Sequence, residues 1–69
     1  GYRIGIDVGG TFTDYLLLGA TGETRAHKVL STPDDPSRAV LQGLAELAAA
    51  EGRRLDRFLG EVDLVVHGT

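Results

Sequence analysis

The residues best suited to chemistry lie together in the octet Asp7-Val8-Gly9-Gly10-Thr11-Phe12-Thr13-Asp14. Two adjacent glycines free the backbone for positive φ and for close approach to a ligand, so that successive N–H groups can converge on an anion. Thr11 and Thr13 add hydroxyl donors, and Asp7 offers a carboxylate of the kind that holds Mg²⁺ through its waters. Together these are the parts of a phosphate cradle with a metal beside it. A plain hairpin uses Gly-Gly in the same way, with Asp7 as a turn cap, and the glycines alone favour that plainer reading. Asp14 either contacts a substrate, orients the loop or is an ordinary carboxylate near a turn. His67, followed by Gly68-Thr69, opens a second small-residue turn and is either functional or a satisfied strand end.

Other chemistries find less support. Without cysteine there is no thiol nucleophile, disulfide or Cys-based zinc site, and the absence fits a reducing cytoplasm. No Ser-His-Asp grouping and no His cluster at metal-ligand spacing is present. Gly5-x-x-x-Gly9-Gly10 is not a G-x-G-x-x-G fingerprint, and Lys28, the only lysine, is not part of a P-loop. Asp34 and Asp35 read as helix caps, and His27, beside Arg25 on a polar strand, reads as solvent-exposed.

The elements that must position the octet follow from periodicity. Tyr2, Ile4, Ile6 and Val8 alternate with Arg3, Gly5 and Asp7, which predicts a first strand over 2–8. Thr11 to Leu18 predicts a second strand joined to the first through the glycine turn, with Asp14 on the face opposite Thr11 and Thr13. Thr24 to Leu30 is a third, more polar strand. Asp35 before Pro36 marks a helix start. Two apolar rows, Val40, Leu44, Leu47 and Leu41, Ala45, Ala48, then run to a helix end near Gly52, with Arg38, Gln42 and Glu46 on the other face. A short turn around Phe58 and Leu59 leads to a buried strand over 62–67. The order β-β-β-α-β, with a crossover that is nearly always parallel, sets the last strand beside the first and brings Asp7–Thr11 and His67–Thr69 to one edge.

Sixty-nine residues allow one small domain, which buries only about 60% of the surface its unfolded chain exposes. Ten glycines are about twice the usual share. Seven basic against ten acidic residues, a net charge of -3, and no basic run longer than Arg53-Arg54 disfavour nucleic acid as a partner. No apolar stretch approaches the roughly 20 residues of a membrane span, so a soluble protein without a membrane partner is expected. The chain begins with Gly1, contains no methionine and stops after a strand-like run, so residues 1–69 are expected to be the N-terminal piece of a larger protein, with a sheet face left open for later elements.

The octet closely resembles the first phosphate motif of the hydantoinase A and 5-oxoprolinase family, within the actin-like, sugar-kinase-like ATPase superfamily. RIGIDVGGTFTD, STPDDP and the terminal VVHGT are similar to that family's N-terminal region in order, over nearly the whole chain. The chain departs at Tyr15, where a smaller aliphatic residue is more usual, and at Leu18-Gly19-Ala20, which lacks a frequent acidic residue. The resemblance implies a ribonuclease-H-like α/β fold and, in the intact chain, an ATP- and Mg²⁺-dependent hydrolase. Its substrate would be a cyclic amide such as a hydantoin or 5-oxoproline, and its partners the rest of the chain and a second, B-type subunit or domain. ATP would phosphorylate or polarise the amide oxygen and expose the carbonyl carbon to water. Asp7 would hold Mg²⁺. Gly9, Gly10, Thr11, Thr13, Gly68 and Thr69 would bind the nucleotide, and Asp7, Asp14 and His67 are the candidate catalytic residues. The fragment by itself would be inactive. A ketone carboxylase of the same family, a sugar kinase of the superfamily and a non-catalytic sheet module are the alternatives.

Overall fold

The computed structural model describes residues 1–68. Three seven-residue strands, β1 (Tyr2–Val8), β2 (Phe12–Leu18) and β3 (Thr24–Leu30), form an antiparallel meander. Helix α1 (Pro36–Ala50), a single-turn helix α2 (Leu55–Leu59) and strand β4 (Val62–Gly68) follow. The sheet order is β3-β2-β1-β4, with β4 parallel to β1. This is the expected α/β arrangement with the turn near Phe58 realised as α2. β2 begins one residue later than expected, leaving Thr11 in the turn, and β4 runs one residue further, to Gly68.

Alternation decides which side of the sheet is dry. Ile4, Ile6, Thr13, Tyr15, Leu17 and Val29 are buried beneath the helices, and Ala39, Leu44, Leu47 and Ala48 of α1 and Phe58 of α2 close over them. Phe58 meets the Tyr2 ring in a tilted contact, centroids 5.4 Å apart. Of the two apolar rows read along α1, only part turns inward: Leu41 is 52% exposed and Ala45 is exposed, while Ala39 and Gly43 are buried. The helix rotates toward Gly43 because Tyr15 occupies the space beside it. A Cβ built on Gly43 would lie 2.0 Å from Tyr15 Cζ. The Tyr15 hydroxyl donates to the carbonyls of Ala39 (2.7 Å) and Val40 (3.1 Å), and burial pushes its pKa up to about 12.

Both ends of α1 are closed by backbone and hydroxyl chemistry. At the N-terminus the Asp35 carboxylate caps no N–H, contrary to expectation, and takes the Ser37 hydroxyl at 2.6 Å. The capping acceptor is Thr32, whose Oγ1 receives the Ala39 N–H at 3.1 Å and donates to the Asp35 carbonyl. Asp34 pairs with Arg38 one turn on, at 3.0 Å. At the C-terminus Gly52 takes φ +71°, and the N–H groups of Gly52 and Arg53 return to the carbonyls of Ala49 and Ala48.

Two expectations fail for positional reasons. His27 is not free in solvent: it faces α1, and its Nε2 lies 2.5 Å from Glu46 Oε1. Hydrogen bonds from Gln42 and then from His27 hold the Glu46 carboxyl below the usual carboxylate range. β4 is not buried. It is an edge strand, while α1 packs on β1, β2 and β3, so Leu64, Val65 and Val66 stand 45%, 51% and 54% exposed.

Candidate functional site

Register places the chemistry of the octet on the face that the helices leave open. Asp7 pairs with Asp14 across β1 and β2, with His67 across β1 and β4, and Asp14 pairs with Lys28 across β2 and β3. Residues opposite one another in a ladder share a face, so His67, Asp7, Asp14 and Lys28 form one row across all four strands. All four are exposed. Lys28 Nζ lies 3.5 Å from Asp14 Oδ1 and 4.7 Å from the centre of the Phe12 ring. The Asp7 carboxylate has no hydrogen-bond or ion-pair partner among the described residues. The row borders a shallow hollow of about 290 Å³ lined by Gly5, Asp7, Asp14, Leu16 and His67. A Cβ on Gly5 would meet nothing within 4 Å, so glycine there leaves the floor of the hollow low.

At the end of β1 the chain turns through Gly9-Gly10-Thr11, closed by the Gly9 N–H bonding the Phe12 carbonyl at 3.0 Å. Neither glycine adopts positive φ, so the expected left-handed turn is absent. Gly9 is required by proximity instead, since its Cβ would lie 2.9 Å from the Phe12 carbonyl oxygen. Gly10 faces open space, with nothing within 4 Å of an added Cβ. Among the described residues nothing accepts the N–H groups of Gly10 and Thr11 or bonds the Thr11 hydroxyl. These are consecutive donors on an exposed turn, the arrangement that receives an anion.

Thr13 sits elsewhere. It is fully buried on the helix side, with its Oγ1 2.9 Å from Ser31 Oγ. Ser31 spends its one hydroxyl hydrogen on the Gly9 carbonyl at 2.6 Å, so Thr13 is the donor of their shared bond. Thr13 therefore supports the turn from beneath and does not present its hydroxyl at the surface. The Ser31 N–H also donates to the Thr11 carbonyl at 2.8 Å. Sequence reasoning missed Ser31, although the pairing of Phe12 with Leu30 sets the next residue of β3's exit opposite Thr11. A second hollow of about 200 Å³ lies between the turn and the start of α1, bounded by Gly9, Gly10, Ser31, Thr32 and Pro36. Gly68 pairs with Val8 at the same sheet edge, and Thr69 lies outside the described residues.

A sequence model described as the hydantoinase/oxoprolinase N-terminal region matches residues 3–69. The chain belongs to the hydantoinase/oxoprolinase family. It is similar to caprolactamase subunit alpha of Pseudomonas jessenii, 44% identical over 68 residues that make up 99% of this chain and 10% of that one. Its fold matches the nucleotide-free structure of acetone carboxylase, determined in work on ATP-dependent acetone carboxylation, with a TM-score of 0.85 and 29% identity over 97% of this chain and 10% of that chain. The chain thus spans about a tenth of the length of these relatives. Among the described residues no helix is long and apolar enough to cross a membrane, and no group of three or more His, Cys, Asp or Glu side chains is placed to hold a metal.

Proposed function

We propose that this hydantoinase/oxoprolinase-family chain supplies the phosphate- and magnesium-binding edge of an ATP-dependent enzyme that opens a cyclic amide. The observation that carries the reading is the turn after β1, where, among the described residues, the consecutive N–H groups of Gly10 and Thr11 have no acceptor and space is open above Gly10; Asp7, two residues before the first glycine of the turn, carries a carboxylate with no partner among those residues. The residues fit the ligands implied. A single exposed carboxylate suits Mg²⁺, which keeps most of its waters and takes further oxygens from phosphate. Bound there, the ion would neutralise phosphate charge; Asp7 would hold it, and Gly9, Gly10 and Thr11 would cradle the phosphate. Gly68, paired with Val8 at the end of β4, would extend the cradle. Asp14 and His67, flanking Asp7 in the same row, are the side chains available to orient a water or substrate over the hollow above Gly5.

The cyclic-amide reading is supported by the 44% identity to a caprolactamase subunit, whose name also suggests a partner subunit for this protein. The match to acetone carboxylase favours a second reading, ATP-dependent carboxylation, which would use the same edge. Use of ATP fits a cytoplasmic enzyme. The test is made on the intact protein: ATP hydrolysis is expected to depend on an added lactam or hydantoin and on Mg²⁺. Release of phosphate only with a ketone and bicarbonate would favour the second reading.

Gly10→Val separates binding from folding. Because φ at Gly10 is not positive and a Cβ there meets no atom, the thermal midpoint is expected to move by no more than a few degrees. The added side chain would fill the phosphate space, and calorimetric titration is expected to show ATP affinity falling at least about tenfold. Unchanged ATP affinity would leave the turn as a plain hairpin.

A further inference from the structure

We propose that Ser31 is the positioning residue that makes the glycine turn receptive to an anion, an inference that rests on the phosphate reading above. A turn exposes carbonyl oxygens as readily as N–H groups, and an oxygen aimed at a phosphate repels it. Each carbonyl tied back therefore favours an anion cradle. Ser31 ties back the two that flank Gly10: its hydroxyl donates to the Gly9 carbonyl at 2.6 Å, which orients the peptide carrying the Gly10 N–H, and its N–H donates to the Thr11 carbonyl at 2.8 Å, while the Gly10 carbonyl takes no donor among the described residues. The N–H groups of Gly10 and Thr11, interleaved with those carbonyls along the chain, are left for a ligand.

Ser31 is itself held in place. The Thr13 hydroxyl, buried and with no other acceptor among the described residues, donates to Ser31 Oγ at 2.9 Å and fixes its rotamer with the hydrogen toward Gly9. The next residue, Thr32, caps α1, so the brace is anchored to the helix rather than to a free loop. The Ser31 hydroxyl hydrogen is committed to the Gly9 carbonyl, so its effect on nucleotide passes through the direction of the turn's backbone groups.

The experiment uses the intact protein and compares affinity for ATP with affinity for adenosine by calorimetry in the wild type, Ser31→Ala, Ser31→Thr and Gly10→Val. Ser31→Ala is expected to weaken ATP about tenfold while adenosine changes less than twofold, and Ser31→Thr, which keeps the hydroxyl, is expected to restore most of the loss. General structural damage would weaken both ligands equally, and that result would overturn the proposal. So would Ser31→Ala binding ATP as the wild type does while Gly10→Val loses it, an outcome that leaves the phosphate reading standing. If the wild type binds ATP no better than adenosine, the phosphate reading itself falls. Should Ser31→Ala melt below the assay temperature, Ser31→Cys, close in size and a weaker donor, carries the same expectation of an ATP-specific loss.

Discussion

Asp7→Asn in the intact protein is expected to lower Mg²⁺-dependent ATP hydrolysis by at least about a hundredfold, the scale seen when one preorganised electrostatic group is removed from an active site. The fold should not suffer. Asp7 is exposed and unpartnered among the described residues, and it stands directly opposite Asp14. Like charges facing each other across a ladder cost a few tenths of a kcal/mol or more, and Lys28 offsets only the Asp14 side at 3.5 Å. Neutralising Asp7 removes that repulsion, so the variant is expected to melt at the wild-type temperature or slightly above it. ATPase assays beside thermal melts decide the matter: a folded Asp7→Asn protein with full Mg²⁺-dependent activity would remove Asp7 from the metal site.

Gly43→Ala carries the largest expected loss of stability. In most helix interiors this change stabilises by about 0.5–1 kcal/mol. Here the new Cβ would lie 2.0 Å from Tyr15 Cζ and 2.2 Å from the hydroxyl oxygen, far inside contact distance. Tyr15 is 3% exposed and bonded to the Ala39 and Val40 carbonyls, so moving it breaks those bonds and disturbs the core between sheet and helix. Overpacking of this kind costs about 1–3 kcal/mol before the hydrogen bonds are counted. The check is the urea midpoint of the intact protein, with Tyr15→Leu as the second arm of a double-mutant cycle. The double variant is expected to lose less than the two single losses together. A Gly43→Ala variant as stable as the wild type would contradict the contact.

The pair also shows what single-sequence reading reaches and what it does not. Tyr15 stood out as unusually large for its place in the family pattern, and Gly43 lay unremarked inside a helix. Only the packed structure shows that one accommodates the other. Strand periodicity carried further: alternation set Asp7 on the face opposite the apolar residues of β1 and Asp14 on the face opposite Thr13 in β2, register shows the two on one face, and the parallel return of β4 sets His67 opposite Asp7. Positive φ at Gly9-Gly10 was the natural inference from residue type, yet Gly9 is demanded by the nearby Phe12 carbonyl rather than by torsion. Ser31, Thr32 and the His27–Glu46 contact were hidden because each depends on a partner brought close by tertiary structure, 18 residues away for Thr13 and Ser31 and 19 for His27 and Glu46. The inward turn of Ala39 in place of Leu41 has the same origin, since a helical stripe leaves its rotation about the axis to the surface it meets.

The sheet's two borders differ in kind. Along β3, Arg25 pairs with Glu51 and Lys28 with Asp14, and His27 shares a hydrogen bond with Glu46, so the strand is lined by charged and polar contacts that discourage a newcomer. Along β4, Leu64, Val65 and Val66 lie half-exposed in succession. An apolar edge next to an unoccupied ladder is an invitation to pair, whereas a charged one is a refusal. Among the described residues the four strands therefore end in unlike borders, an apolar one on the side of His67 and a charged one on the side of Lys28.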